Sequence, residues 1–289
     1  MELIGDRNFL RGFYLQGPDP SAHDRWVEKI VSPFPQNRQK PLWWVAQWWT
    51  PFPFSQVAPH RKGEEMVWEN ESRRFAWNPQ NGHFSMSLDS HKEYQALYHA
   101  PRASSKTPWS HFLLEQDFEA SPNIEELSSL RAKIRFSIEK CVLFDRESFD
   151  PSLHAAQLLW YLTIQPQKGP YSPAGKNFIW LGIPLFDSRT PYEEKAAFLD
   201  VGNPGSTNRL IYNLDSRDYL PSPVEIGKEY SVDFDLLPKA KEAIAYAREN
   251  KILPPDGPLY ANYMNFGWEL PGSYEASASI QTISLEAEL

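Results

Sequence analysis

The sequence predicts an all-β protein, a two-sheet antiparallel sandwich of the jelly-roll type with one or two short helices. Proline is frequent, with 26 residues, and 14% of the 289 residues are aromatic, which is typical of many short strands joined by proline-rich loops. Several segments alternate apolar and polar residues with the period of a strand. Because neither a repeat nor a linker is evident, we expect one β-sandwich domain over residues 1–289, with an irregular segment up to about residue 40.

Composition excludes several classes of function. The net charge is −8 and no cluster of Lys and Arg is present, which argues against binding to nucleic acid or to an anionic membrane surface. The chain has one cysteine, Cys141, so it predicts neither an internal disulfide nor a cysteine metal site. The turn at 200–208 is rich in oxygen ligands but lacks EF-hand spacing, and we expect no metal and no cofactor.

The first residues show no basic region followed by an apolar run, and no stretch of 18 apolar residues occurs. The sequence therefore predicts a cytoplasmic protein without a membrane segment, or a secreted one if a signal peptide has been removed.

The first predicted elements are a short helix and a tryptophan-rich strand. Ser21 caps the helix, which covers residues 21–30. In the strand, neighbouring tryptophans point to opposite faces, so one pair packs in the core and the other faces a groove. An indole ring is a suitable platform for the apolar face of a sugar. We select Trp44 and Trp48 as ligand-binding candidates; the alternative is that all four tryptophans are structural: Trp43, Trp44, Trp48 and Trp49.

Further along the chain, alternation predicts several strands, the apolar run 177–189 predicts a buried strand, and one segment predicts a helix. The apolar run 154–165 could be a helix or a strand by its period alone, and its Trp, Tyr, Thr and Ile residues with the proline that follows favour a strand. The helix covers 238–250, with a proline in its first turn and an alanine-rich interior. The last strand changes phase near Gln281, which predicts a bulge. The predicted strands are 66–69 and 74–78, forming a hairpin, then 83–89, 134–144, 154–165, 177–189, 210–214, 230–236 and 275–289.

Three acidic residues occur at alternate positions within an apolar stretch, Leu113–Ala120. If this stretch is a strand, Glu115, Asp117 and Glu119 share one face. A row of carboxylates can carry out acid–base chemistry or hold a polar ligand, and the alternative is an exposed acidic strand face.

The Glu115-x-Asp117-x-Glu119 pattern resembles the catalytic strand of the laminarinase-like glycoside hydrolases, which have concanavalin A-like jelly-roll folds. The resemblance is limited to this strand. It implies that Glu115 is the nucleophile, that Asp117 assists and that Glu119 is the general acid/base.

Two later segments contain side chains suited to a sugar ligand. The strand at 154–165 contains Gln157, and the strand at 177–189 ends with Asp187 and Arg189, which form either a surface ion pair or ligand contacts. The segment 259–274 combines amides, aromatic rings and a carboxylate, as sugar hydroxyls and ring faces require. The candidates in that segment are Tyr260, Asn262, Trp268 and Glu269.

The sequence leaves three functions open and favours the first. The first is a glycoside hydrolase with paired carboxylates in a tryptophan-lined cleft. The second is a non-catalytic carbohydrate-binding protein, and the third is a structural or partner-binding sandwich. For the first two, the expected ligand is an oligosaccharide or glycoside.

Overall fold

The computed structural model describes residues 1–20, 26–170 and 177–289. Its described strands are β1 (Phe13–Gln16), β2 (Val27–Val31), β3 (Trp43–Ala46), β4 (His60–Lys62), β5 (Glu65–Glu69), β6 (Arg73–Trp77), β7 (Phe84–Asp89), β8 (Ser110–Asp117), β9 (Ser129–Leu143), β10 (Gln157–Gln165), β11 (Ile179–Asp187), β12 (Ala196–Leu199), β13 (Leu210–Asn213), β14 (Glu229–Asp235), β15 (Tyr260–Leu270) and β16 (Tyr274–Glu288). The described α-helices are α1 (Ser90–Tyr98) and α2 (Leu237–Glu249).

These strands form two sheets that pack face to face, as the sequence predicts. The nine-stranded sheet has the order β12-β13-β11-β10-β15-β8-β3-β1-β2, and the seven-stranded sheet has the order β14-β9-β16-β7-β6-β5-β4. The chain repeatedly passes from one sheet to the other, for example from β8 to β9 to β10. Most pairs are antiparallel, but β1 pairs with β3 and β11 with β13 in parallel.

The core lies between the sheets and fixes which face of each strand is internal. In β8, Phe112 and Leu114 are fully buried in this core. His111, Glu115 and Asp117 alternate with them and therefore point away from the seven-stranded sheet. We call that side of the nine-stranded sheet the outer face.

The predicted long strands are confirmed, and so is the bulge near Gln281, where the register of β16 against β9 shifts. The register of β10 against β11 also shifts, opposite Pro184. Trp43 is buried in the core while Trp44 lies on the outer face, as alternation predicts for a strand. The helix predicted at 238–250 is α2.

The N-terminal region differs from the prediction. Residues 27–31 form the strand β2 rather than the end of a helix, and the start of that predicted helix, 21–25, lies outside the described residues. The region before residue 40 also contains β1, so it is more regular than expected. The sequence did not predict α1 or the edge strand β12. In the described part of the chain, no helix is both long and apolar enough to span a membrane.

Candidate functional site

Four polar side chains form a row on the outer face, across four neighbouring strands. The strand registers pair His111 of β8 with Glu269 of β15, Glu269 with Gln157 of β10, and Gln157 with Asp187 of β11. Each residue is thus about 5 Å from the next at Cα. We call these four residues the polar row.

At one end of the polar row, an imidazole lies between two indole rings and beside a carboxylate. His111 Nε2 is 3.4 Å from Glu269 Oε2, and Trp109 Nε1 donates to the same oxygen at 3.2 Å. His111 Nδ1 is 2.9 Å from the Trp109 carbonyl oxygen. Both ring nitrogens of His111 therefore face oxygen atoms, which fixes the orientation of the imidazole ring. The His111 ring centroid is 5.1 Å from those of Trp48 and Trp109.

The surroundings of Glu269 favour its ionised form. Burial alone would raise the pKa of Glu269, but the charge of His111 and the hydrogen bonds from His111 and Trp109 outweigh it and lower this pKa. The side chain is 19% exposed. Glu269 therefore presents a partly accessible carboxylate beside two half-buried indoles.

At the other end of the row, Asp187 is fully enclosed by donors. Its side chain is 0% exposed, and Gln157 Nε2 donates to Asp187 Oδ2 at 2.7 Å. Arg189 binds both carboxylate oxygens, with Nη2 to Oδ2 at 2.6 Å and Nε to Oδ1 at 2.9 Å. Burial, with the charge of Asp187 as a second cause, raises the pKa of Glu193 beside this pair. Asp187 thus orients Gln157 and Arg189, and Arg189 is the exposed member.

A second row crosses the middle of the outer face, four residues along each strand from the polar row. We call it the central row: Glu115 of β8 pairs with Trp44 of β3 and with Asn265 of β15, which in turn pairs with Tyr161 of β10. Glu115 is only 1% exposed and accepts a hydrogen bond from the Gln16 side chain. About 13 Å of strand separates the two rows, so Glu115 and Glu269 are not a carboxylate pair.

Of the three predicted catalytic acids, two share the outer face. Glu115 and Asp117 both point to it, but Glu119 does not share this strand face as expected, because β8 ends at Asp117. Glu119 is exposed and lies 3.4 Å from Arg11 Nη1. A side chain on Gly5 would contact both Glu119 and Gln116, which places Glu119 near the core-facing side of β8.

Three other predicted ligand contacts lie elsewhere in the fold. Trp268 is 0% exposed in the core, and its Nε1 donates to the Met86 carbonyl. Asn262 is also 0% exposed. It accepts a hydrogen bond from the Thr163 hydroxyl where the register between β10 and β15 shifts. Tyr260 begins β15, about 30 Å along the strand from Glu269. These positions correct the prediction that the three residues join Glu269 at one ligand site.

The structure brings together Trp48, Gln157, Asp187, Arg189 and Glu269, and places Trp44 in the central row. Sequence reasoning missed Trp109 and His111. His111 lies four residues before Glu115, so the period of the strand was a signal that the two share a face. Across the described ranges, no group of three or more His, Cys, Asp or Glu side chains is arranged to hold a metal ion.

No protein-family profile matches the chain, and no curated protein matches its sequence. Among solved structures, the family 12 xyloglucanase of Bacillus licheniformis is 8% identical, with a TM-score of 0.48, over 84% of this chain and 100% of that one. The endoglucanase Cel12A of Rhodothermus marinus is 13% identical, with a TM-score of 0.40, over 78% and 93%. The family GH12 endoglucanase 3 of Trichoderma harzianum is 11% identical, with a TM-score of 0.40, over 87% and 99%. The chemistry of the site therefore has to be inferred from this chain's own residues.

Proposed function

We propose that the protein is carbohydrate-active and that it binds an oligosaccharide or glycoside on the outer face of its nine-stranded sheet. The observation that carries this proposal is the polar row with Trp48 and Trp109 at one end. Sugar recognition requires hydrogen-bonding groups in the plane of the ring and an aromatic surface against its apolar face. The polar row supplies the hydrogen-bonding groups, and Trp48 and Trp109 supply the aromatic surface, within one band of the sheet.

Hydrogen bonds within the protein orient the polar groups of this band. Glu269 is held by His111 and Trp109, and Gln157 is held by Asp187. Fixed side chains lose little rotamer freedom on binding, which favours affinity. The carboxylate of Glu269 accepts from sugar hydroxyls, and the guanidinium of Arg189 donates to them.

Hydrolysis of a bound glycoside is the second candidate function, because Glu115 and Asp117 lie at alternate positions on the same face. Their Cα atoms are about 7 Å apart, and a retaining mechanism needs carboxyl groups about 5–5.5 Å apart. Gln16 donates a hydrogen bond to the carboxylate of Glu115 and orients it on this face.

Two observations place binding ahead of hydrolysis. Glu115 is almost inaccessible, at 1% exposure. Glu269 is more accessible, but its neighbour on β10 is the amide Gln157, which can neither attack a sugar carbon nor supply a proton as an acid does.

The test is a glycan panel applied to the parent and to three variants, Trp109→Ala, Glu269→Gln and Glu115→Gln. We expect the first two to weaken binding measured by calorimetry and the third to retain it. Ser85→Ala, on the other side of the seven-stranded sheet, is the control for unrelated surface changes. A parent that binds no glycan contradicts the proposal and favours a partner-binding sandwich.

The same panel decides between binding alone and hydrolysis. Release of reducing ends by the parent, lost in Glu115→Gln, supports the second candidate. Binding without release, in the parent and in Glu115→Gln alike, leaves a carbohydrate-binding protein.

A further inference from the structure

A buried arginine crosses the sandwich behind the polar row. Arg73 belongs to β6 of the seven-stranded sheet, but its side chain points into the core and is 0% exposed. The guanidinium reaches the nine-stranded sheet, where it lies 5.6 Å from the Phe112 ring centroid. A buried cation is costly unless it is paired and hydrogen-bonded.

Glu93 of α1 pairs with this cation in a two-point contact. Arg73 Nε donates to Glu93 Oε1 at 2.8 Å, and Nη2 donates to Oε2 at 3.1 Å. Glu93 also accepts from the hydroxyls of Thr50 at 2.8 Å and Ser72 at 2.6 Å. The carboxylate is therefore held in place by four donors.

The remaining donors of Arg73 bind the backbone of the candidate site. Nη1 donates to the carbonyl of His111, and Nη2 donates to the carbonyl of Trp48 at 3.4 Å. The rings of these two residues are 5.1 Å apart on the outer face. One planar guanidinium thus connects the carboxylate of α1 to both residues.

We propose that Arg73 is the positioning residue of the carbohydrate site and that it fixes Trp48 and His111 relative to Glu269. This inference rests on the proposed function. A charge pair alone would require only the contact between Arg73 and Glu93. The two additional hydrogen bonds go to the backbone carbonyls of Trp48 and His111, whose side chains belong to the site. Lysine cannot replace arginine here, because an ammonium lacks the planar set of five donors that reaches a carboxylate and two carbonyls together.

The test separates positioning from stability. In the double variant Arg73→Met/Glu93→Leu, both charges are removed and the volume is approximately kept, an exchange that proteins often tolerate without loss of stability. Arg73→Lys keeps the charge pair but loses the two-carbonyl contact. Arg74→Leu, the neighbouring arginine on the exposed side of β6, is the matched control.

Two measurements are made on each folded variant. Calorimetry gives the affinity for a glycan that the parent binds, and we expect a loss of about tenfold or more in the double variant and in Arg73→Lys. Side-chain NMR at one fixed pH gives the ring signals of Trp48 and His111, whose rings are 5.1 Å apart, and we expect these signals to shift in both variants but not in Arg74→Leu.

Parent-like affinity and unchanged ring signals of Trp48 and His111 in either folded Arg73 variant would overturn the proposal. A parent that binds no glycan contradicts the proposed function instead, and the ring signals then still decide whether Arg73 positions these two residues. If the double variant does not fold, Arg73→Lys decides alone.

Discussion

Glu269 owes its ionised state to particular neighbours rather than to solvent. Burial acts against its charge, while His111 and Trp109 act in favour of it, and the net effect is a lowered pKa. A carboxylate with a lowered pKa stabilises the fold above its unfolded pKa of about 4.3, and this contribution is lost as the pH falls through the folded pKa.

We predict that Glu269→Gln lowers the free energy of unfolding by about 1.5–3 kcal/mol at pH 6–7, the usual value of hydrogen bonds to a charged group. The difference from the parent shrinks as the pH is lowered from 5 towards 3. Urea unfolding at several pH values measures it. Glu275→Gln, which removes an exposed pair with Lys140, should change the free energy by less than about 0.5 kcal/mol. A constant Glu269 difference over this range would contradict the assignment.

We predict that Trp109→Ala weakens glycan binding by about 1–3 kcal/mol, because an aromatic anchor at the end of the polar row is lost. Calorimetry with the parent's ligand measures the effect. Phe198→Ala is the control, since Phe198 is 46% exposed on the edge strand β12 and away from the row. Equal losses in both variants would show that the effect is not specific to the site.

Individual site residues could be predicted from the sequence only in part. Alternation indicated that Glu115 and Asp117 share a face, and composition drew attention to Trp48, Gln157, Asp187, Arg189 and Glu269. The pairing of Gln157 with Glu269 could not be predicted from the sequence. Their strands, β10 and β15, are distant in sequence, and the register between them depends on the whole sheet. Trp268 was misplaced because it alternates with Glu269 and therefore faces the core.

At the scale of the elements, the contact between β8 and β15 holds the site together. Gly267 of β15 has a φ of +153°, and a Cβ there would lie 2.2 Å from the Phe112 carbonyl oxygen of β8. Only glycine allows the two backbones to approach this closely.

We predict that Gly267→Ala lowers the free energy of unfolding by about 2–4 kcal/mol, because a clash is added to a strained backbone. Gly63→Ala is the matched control: Gly63 also has a positive φ, +65°, but no atom lies within 4 Å of its added Cβ. Its cost should be about 1 kcal/mol. Denaturant unfolding of both variants measures the difference, and equal costs would contradict the close approach.

The elements that the sequence missed have a physical explanation. α1 buries Ser90, Glu93 and Tyr94. Because its buried side is largely polar, the segment lacks the helical spacing of apolar residues by which a helix is predicted. β12 is a short edge strand that is only partly buried, and its pattern is correspondingly weak. The long strand β9 has one buried face and a clear alternation, whereas β10 is buried on both faces and was assigned from its residue content because its period left a helix open.

At the scale of the whole molecule, the first residues connect the two sheets. The Leu3 amide donates to the Leu285 carbonyl of β16 at 2.8 Å, while Gly5 exchanges two hydrogen bonds with the Gln116 side chain of β8. Ile4, between them, is 1% exposed in the core.

We predict that Ile4→Ala lowers the free energy of unfolding by about 2–5 kcal/mol and destabilises both sheets together. Hydrogen exchange of the amides in β8 and β16 measures this, and both groups should lose protection by the same amount. Leu10→Ala, at an exposed position, should have little effect. Loss of protection in one sheet alone would show that the segment does not couple them.

The strand order of the seven-stranded sheet also constrains how the protein is made. β16 lies between β7 and β9 but follows every other described strand of this sheet in chain order, so the middle of the sheet is filled after its flanks during synthesis. Until residues 274–288 leave the ribosome, the inner edges of β7 and β9 have no native partner. Unpaired edges recruit other extended segments, and sheets built from distant strands form slowly. Until β16 emerges, the facing edges of β7 and β9 are therefore open to non-native pairing in the nascent chain.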